Sequence, residues 1–192
     1  MKTSLVLLLC AAFAAPCFAS EPTTALLIID IQDFYFPGGK VPLVEPEAAA
    51  GNARNVLQKF RTNGNPVIHV RHEFEPGGAI HPSVAPVEGE KVFTKTEVSC
   101  FNGTDVLAHL KKLGAKRLVI VGMQTHMCLE AATRAAADLG FEVVVIGDAC
   151  ATQDLKFGDR TVAAADVHAS TLATLDRTYA KVVDTETFLG GE

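Results

Sequence analysis

Five apolar runs recur along the chain, and most are separated by enough residues for a helix. They are TALLIID (24–30), PVIHVRH (66–72), RLVIVG (117–122), EVVVIGDA (142–149) and AKVVDT (180–185). Each is rich in Val, Ile or Leu with little polar alternation, as strands buried on both faces are. The intervening stretches carry helical apolar spacing. Residues 45–64 end on Gly64, and 103–114 open on Thr and Asp and stop at Gly114. Residues 126–139 and a segment near 160–176 read as two further helices. Alternation of this kind predicts an α/β fold in which a parallel sheet is covered by helices on both faces. The longest stretch without regular structure is 73–91, rich in Gly and Pro, and loops of that length are often functional.

The N-terminus has a different composition. MKTSLVLLLCAAFAAPCFA carries a single positive residue, Lys2, then an apolar run from Leu5 to Ala15, then small residues before Ser20. This is the pattern of a secretory signal peptide with cleavage after Ala19, and the run is short for a stable membrane span. The expected organisation is therefore a leader over 1–19 and one domain over 20–192. The mature chain is expected to be exported, periplasmic or secreted, and free of the membrane. The net charge of −5 and the absence of a basic run argue against nucleic acid as a partner. A hydrophobic content of 48% indicates an ordered globular chain.

Cys100, Cys128 and Cys150 remain after the leader. An odd number leaves at least one thiol unpaired in an oxidising compartment. No CxxC and no Cys/His spacing suited to zinc occurs.

In sheets of this class, reactive groups gather beyond the carboxyl ends of the strands. Asp30 ends the first apolar run. His72 ends the second. Lys95, in KVFTKTEVSCF, precedes the next helix, and Cys128 begins the helix after RLVIVG. A carboxylate, an ammonium and a thiol can thus meet at one rim. The helix start and Lys95 would favour a thiolate, and Asp30 could take the thiol proton as general base. Taken singly, each has an ordinary structural reading: a turn-forming Asp, a solvated Lys, a small buried Cys. The case lies in the conjunction.

LLIIDIQDFYF, the long segment from FTKTEVSCF through GMQTHMCLEAATRAAADLGFEVVVIGDACAT, and VHASTLATL together resemble the isochorismatase-like cysteine hydrolases. The likeness covers essentially the whole mature chain. It implies a three-layer α/β/α domain with a six-stranded parallel, Rossmann-like sheet. It also implies a catalytic triad of Asp30, Lys95 and Cys128, and commonly a homo-oligomer. A cis peptide is implied at Met123–Gln124, turning the Gln124 N–H, with that of Cys128, toward a developing oxyanion. Isochorismatases proper cleave a vinyl ether and lack the cysteine, so Cys128 points to C–N cleavage of a small amide or ureide through a thioester. Nicotinamidases of the superfamily carry an Asp-x-His at a metal site. HVRHEFEPGGAIH supplies His69, His72 and His81 without that pattern, so neither metal nor cofactor is expected.

Around this centre, Gln32, Phe34, His72, Phe101 and His126 are candidate substrate-binding residues. Gln32 could orient Asp30 or a substrate amide, or satisfy the backbone. Phe34 and Phe101 could wall a pocket or belong to the core. Cys150, after a neighbouring strand, could approach Cys128 and form a disulfide with it. Two other readings stay open at this point: a non-catalytic small-molecule binding protein, and a redox-responsive thiol protein.

Overall fold

The structure is a computed structural model, and it describes residues 23–191. The expected leader and its cleavage point lie outside these residues. Six strands form one parallel sheet: β1 (Thr23–Ile29), β2 (Val67–His72), β3 (Lys91–Lys95), β4 (Ala115–Met123), β5 (Glu142–Ala151) and β8 (Lys181–Val183). Their spatial order is β3-β2-β1-β4-β5-β8. The alternating side chains of β1 explain the layers. Leu26 and Ile28 pack with Ala53, Leu57 and Phe60 of α1 (Pro46–Thr62) on one face. Ala25, Leu27 and Ile29 pack on the other with α2 (Val106–Lys112), α3 (Glu130–Asp138) and α4 (Ala164–Leu175). The sheet is covered on both faces, so its central strands can be apolar throughout.

β1 pairs with β2 on one side and with β4 on the other. The chain winds outward in both directions from that centre. The carboxyl ends of β1 and β4 therefore form the switch point, the place where doubly wound sheets bind ligands.

Three elements differ from the sequence expectation. β3 is not among the five apolar runs, but it pairs along its length with β2, His72 opposite Lys95. Residues 155–162 form a separate two-stranded hairpin of β6 (Leu155–Phe157) and β7 (Arg160–Val162), so α4 begins only at Ala164. The last strand stops at Val183, and α5 (Thr185–Gly190) follows, with the Asp184 side chain accepting from the Thr187 N–H.

The long 73–91 segment is pinned. The Phe34 N–H donates to the Gly77 carbonyl at 3.0 Å and the His81 N–H to the Ile31 carbonyl at 2.9 Å. No helix among the described residues is long and apolar enough to cross a membrane.

Candidate active site

Asp30, Lys95 and Cys128 come together at the switch point, each delivered by the end of a different strand. Asp30 follows β1 with φ of 49°, a region that non-glycine residues enter rarely and Asp more readily than most. Its N–H donates to the Val70 carbonyl at 2.9 Å, which fixes its exit from the sheet. Lys95 is the last residue of β3 and its side chain is fully buried. Cys128 stands in a single π-helical turn, Thr125–Leu129, between β4 and α3. Such turns recur at functional sites.

Gly122 makes the approach of β1 and β4 possible. It pairs with Ile29, and a Cβ on it would lie 2.0 Å from the Ile29 carbonyl oxygen. With φ of +137° as well, the position admits only glycine without rearrangement. The glycine of the G-x-x-T-x-x-C segment thus sets the spacing between the Asp30 strand and the Cys128 turn.

Lys95 Nζ lies 2.7 Å from Asp30 Oδ2 and 3.2 Å from Cys128 Sγ. It is also 3.1 Å from His72 Nδ1. An ammonium can only donate, so His72 Nδ1 accepts and the neutral ring carries its proton on Nε2. The Asp30–Lys95 contact is a buried ion pair, and the Cys128 thiol also interacts with the Asp30 carboxylate.

Burial raises the Asp30 carboxyl above its ordinary value, against the pull of Lys95. Burial also works against the Lys95 charge, but Asp30 and Cys128 outweigh it and hold the ammonium on. Burial, and then the Asp30 charge, push the Cys128 thiol up to about 12, with Lys95 pulling the other way. Lys95 does favour the thiolate, as its place in the sequence led us to expect, but burial and the Asp30 charge outweigh it. One ammonium faces two potential anions, and Asp30 already engages it. Cys128 therefore sits beside a carboxylate whose basicity burial also raises.

The Met123–Gln124 peptide is cis. Gln124 itself is buried.

The surrounding candidates divide. His72 faces the centre through Lys95, and burial, then the Lys95 charge, lower its basicity. Gln32 does not orient Asp30 or offer an N–H to substrate. Its Nε2 donates to the His72 carbonyl at 2.9 Å and to the Gly78 carbonyl at 2.7 Å, while its Oε1 accepts from the His72 N–H at 2.7 Å. It is a clamp between β1, the end of β2 and the long loop. Phe34 is a core residue, stacked on Phe74 at 4.2 Å between centroids. Phe101 is half-buried against the cluster that contains Cys128. His126 is half-buried, its Nδ1 2.6 Å from Thr152 Oγ1. A second brace, absent from the sequence reading, joins Thr125 Oγ1 to His168 Nδ1 of α4 at 2.9 Å. The Cys128 turn is thus tied to α4 and to the chain just after β5. These partners are 26 and 43 residues apart in sequence, so no local signal announces them.

The histidines of the long-loop region do not converge. His69 Nε2 meets Glu90 at 2.8 Å, His72 Nδ1 meets Lys95, and His81 Nδ1 meets Ser83 Oγ at 2.9 Å. Among the described residues no group of three or more His, Cys, Asp or Glu is placed to hold a metal ion. Cys100, Cys128 and Cys150 are all free thiols, and Cys150 donates to the Ile146 carbonyl.

Comparison with known proteins agrees with this architecture. The Isochorismatase domain family model matches residues 24–187. The isochorismatase family protein YddQ of Bacillus subtilis is 45% identical over 178 residues, covering 87% of this chain and 99% of the relative. A secreted isochorismatase effector of Verticillium dahliae is 34% identical over 73% of this chain and 78% of its own length. A streptothricin hydrolase of Streptomyces noursei is 34% identical over 68% of this chain, which spans half of that longer protein. A crystal structure from Oleispira antarctica, described as an isochorismatase hydrolase, superposes with a TM-score of 0.87 at 49% identity, covering 90% of this chain and 98% of that one. The chain belongs to the isochorismatase family of hydrolases.

Proposed function

We propose that the protein is an exported cysteine hydrolase that cleaves the C–N bond of a small amide or ureide through a thioester on Cys128. The observation that carries this reading is the position of Lys95 Nζ, within 2.7 Å of Asp30 and 3.2 Å of Cys128. It unites a protonated nucleophile, a buried base and a fixed positive charge. As the sulfur attacks the carbonyl carbon, the thiol proton passes to Asp30, the S–C bond forms and the carbonyl electrons move to oxygen. The Gln124 and Cys128 N–H groups receive that oxyanion, a role taken from the family resemblance. Collapse breaks the C–N bond, and protonated Asp30 gives its proton to the leaving amine. Water then attacks the thioester, Asp30 takes its proton, and the sulfur recovers one as the acid departs. Lys95 keeps its charge throughout and steadies whichever neighbour is anionic.

The streptothricin hydrolase among the relatives supports hydrolytic chemistry on a related chain. Export rests on the leader-like composition of residues 1–19, and the secreted relative lends it support. The purified protein should release ammonia or amine from at least one member of a panel of small amides and ureides, and Cys128→Ser should release none. A Cys128→Ser variant that matches wild type would end this reading.

A further inference from the structure

We propose that the cavity between the starts of α1 and α4 binds a small organic cation, and that its occupancy is felt at the turn carrying Cys128. The cavity has a volume of about 380 Å³, within the range of about 300–1,000 Å³ that small-molecule sites span. It lies at the carboxyl half of β5, with Val44, Ala48 and Ala165 as apolar lining. Val44 is 51% exposed, so part of that lining faces solvent. None of Asp30, Lys95 and Cys128 lines the cavity, which sets it apart from the reaction centre.

The charge of the lining selects the occupant. Glu45 and Asp148 are its acids, and among the described residues no Lys or Arg lines it. Neither acid has an ion pair among the described residues. The Glu45 side chain makes no cap hydrogen bond to α1. Asp148 accepts from the Thr185 N–H at 2.8 Å, the Thr185 hydroxyl at 2.7 Å and the Asn52 amide at 3.1 Å. All three donors are neutral, so they orient this carboxylate and leave its charge in place. His168 supplies no counter-charge near neutral pH, because burial lowers its basicity against the pull of Asp148. Helix starts favour anions, but Asp154 already accepts from the Ala164 N–H at 2.8 Å and Glu47 stands in the first turn of α1. A protonated amine on a short hydrocarbon body answers both features of the cavity. Its ammonium can donate to the two carboxylates, and its carbon body can cover the apolar lining.

Two residues of the same wall brace the nucleophile turn. His168 Nδ1 meets Thr125 Oγ1 at 2.9 Å, and Thr152 Oγ1 meets His126 Nδ1 at 2.6 Å. His168 and Thr152 both line the cavity, while Thr125 and His126 are consecutive residues of the Thr125–Leu129 turn. A ligand seated against both braces restrains them together, and the turn then responds to the occupancy of the cavity.

Isothermal titration near neutral pH with three ligands of one shape and different charge tests this: cyclohexylammonium, cyclohexanol and cyclohexanecarboxylate. The cation should bind once per chain and at least about tenfold more tightly than the alcohol, and the carboxylate should not bind. Glu45→Gln should weaken the cation by about tenfold. Ala48→Phe, at an exposed position, fills the cavity and should abolish binding with an unchanged circular dichroism spectrum. The imidazole NMR signals of His126 and His168 should both move on addition of the cation to wild type and stay fixed in Ala48→Phe. No turnover is involved, so the outcome is independent of the thioester chemistry on Cys128. Absence of cation binding to wild type, cyclohexanol binding as tightly, full affinity in Glu45→Gln or Ala48→Phe, or binding that leaves either histidine signal unmoved would overturn the proposal.

Discussion

Lys95 Nζ lies 2.7 Å from Asp30 Oδ2, and both side chains are closed off from solvent. Burial, and then the charge of that carboxylate, push the Cys128 thiol up to about 12, against the pull of Lys95. Asp30→Asn separates basicity from nucleophilicity. Without the carboxylate charge, Lys95 acts on sulfur alone and the thiol becomes more acidic. Alkylation of Cys128 by iodoacetamide at pH 8, located by peptide mass, should be faster in Asp30→Asn than in wild type. Turnover should nonetheless fall by about 10²-fold or more, because the proton acceptor is gone. Slower alkylation in the variant would show that Asp30 does not hold the thiol protonated.

Removing Lys95 instead strands a buried carboxylate. Lys95→Met should cost about 3–5 kcal/mol of stability near neutral pH, the usual result of breaking a buried pair from one side. Asp30→Asn combined with Lys95→Met should be more stable than Lys95→Met alone, since the unpaired charge is then absent. Urea titration of the three variants measures this directly. Simple additivity of the two substitutions would mean that the pair is not coupled.

Gln32→Leu tests the clamp. The substitution deletes three hydrogen bonds and leaves buried backbone groups at His72 and Gly78 without their partner. A loss of about 2–4 kcal/mol is expected, seen as a fall in Tm of roughly 5–12 °C. KM measured well below that Tm should stay close to wild type, because no Gln32 N–H is available to substrate. A large rise in KM with an unchanged Tm would restore Gln32 to the binding site.

Acid stability should depend on Glu90. Burial acts to raise this carboxyl, but the Arg61 fork, the Val87 N–H and His69 outweigh it and bring it from 4.5 to about 2. A carboxyl depressed in the folded state contributes stability that is complete above its unfolded value and is lost as pH falls through the folded one. Wild-type Tm should therefore drop between pH 4.5 and 2 more steeply than that of Glu90→Gln, which should start lower at neutral pH. Parallel profiles for the two proteins would remove Glu90 from the acid response.

The sequence was most legible where one strand or one turn carried the signal. The four long strands declared themselves because burial on both faces leaves unbroken Val, Ile and Leu runs, and Asp30 and Cys128 stood at strand ends that the pattern marked. β3 was missed for the opposite reason. As an edge strand it is largely exposed at Lys91, Val92 and Thr94, so it has no apolar run, and only its pairing with β2 makes it a strand. The second strand of the hairpin was absorbed into the following helix and the first left unassigned, because these three-residue strands are mostly exposed. The roles of Gln32, Thr152 and His168 depend on partners far away in sequence. The upward shift of the Cys128 thiol also depends on burial, which no motif encodes.

The central claim is that Cys128 carries an acyl group during turnover. The most direct measurement is acid-quenched mass spectrometry of the intact protein within the first turnovers of an amide that it hydrolyses, with peptide mapping of the adduct. The expected result is a mass increase equal to the substrate minus its amine, located on Cys128, absent in Cys128→Ala and converted to a hydroxamate when hydroxylamine is added before the quench. Amine release with no acyl mass on the wild-type protein, or an acyl group on Cys100 or Cys150 that persists in Cys128→Ala, would contradict the account.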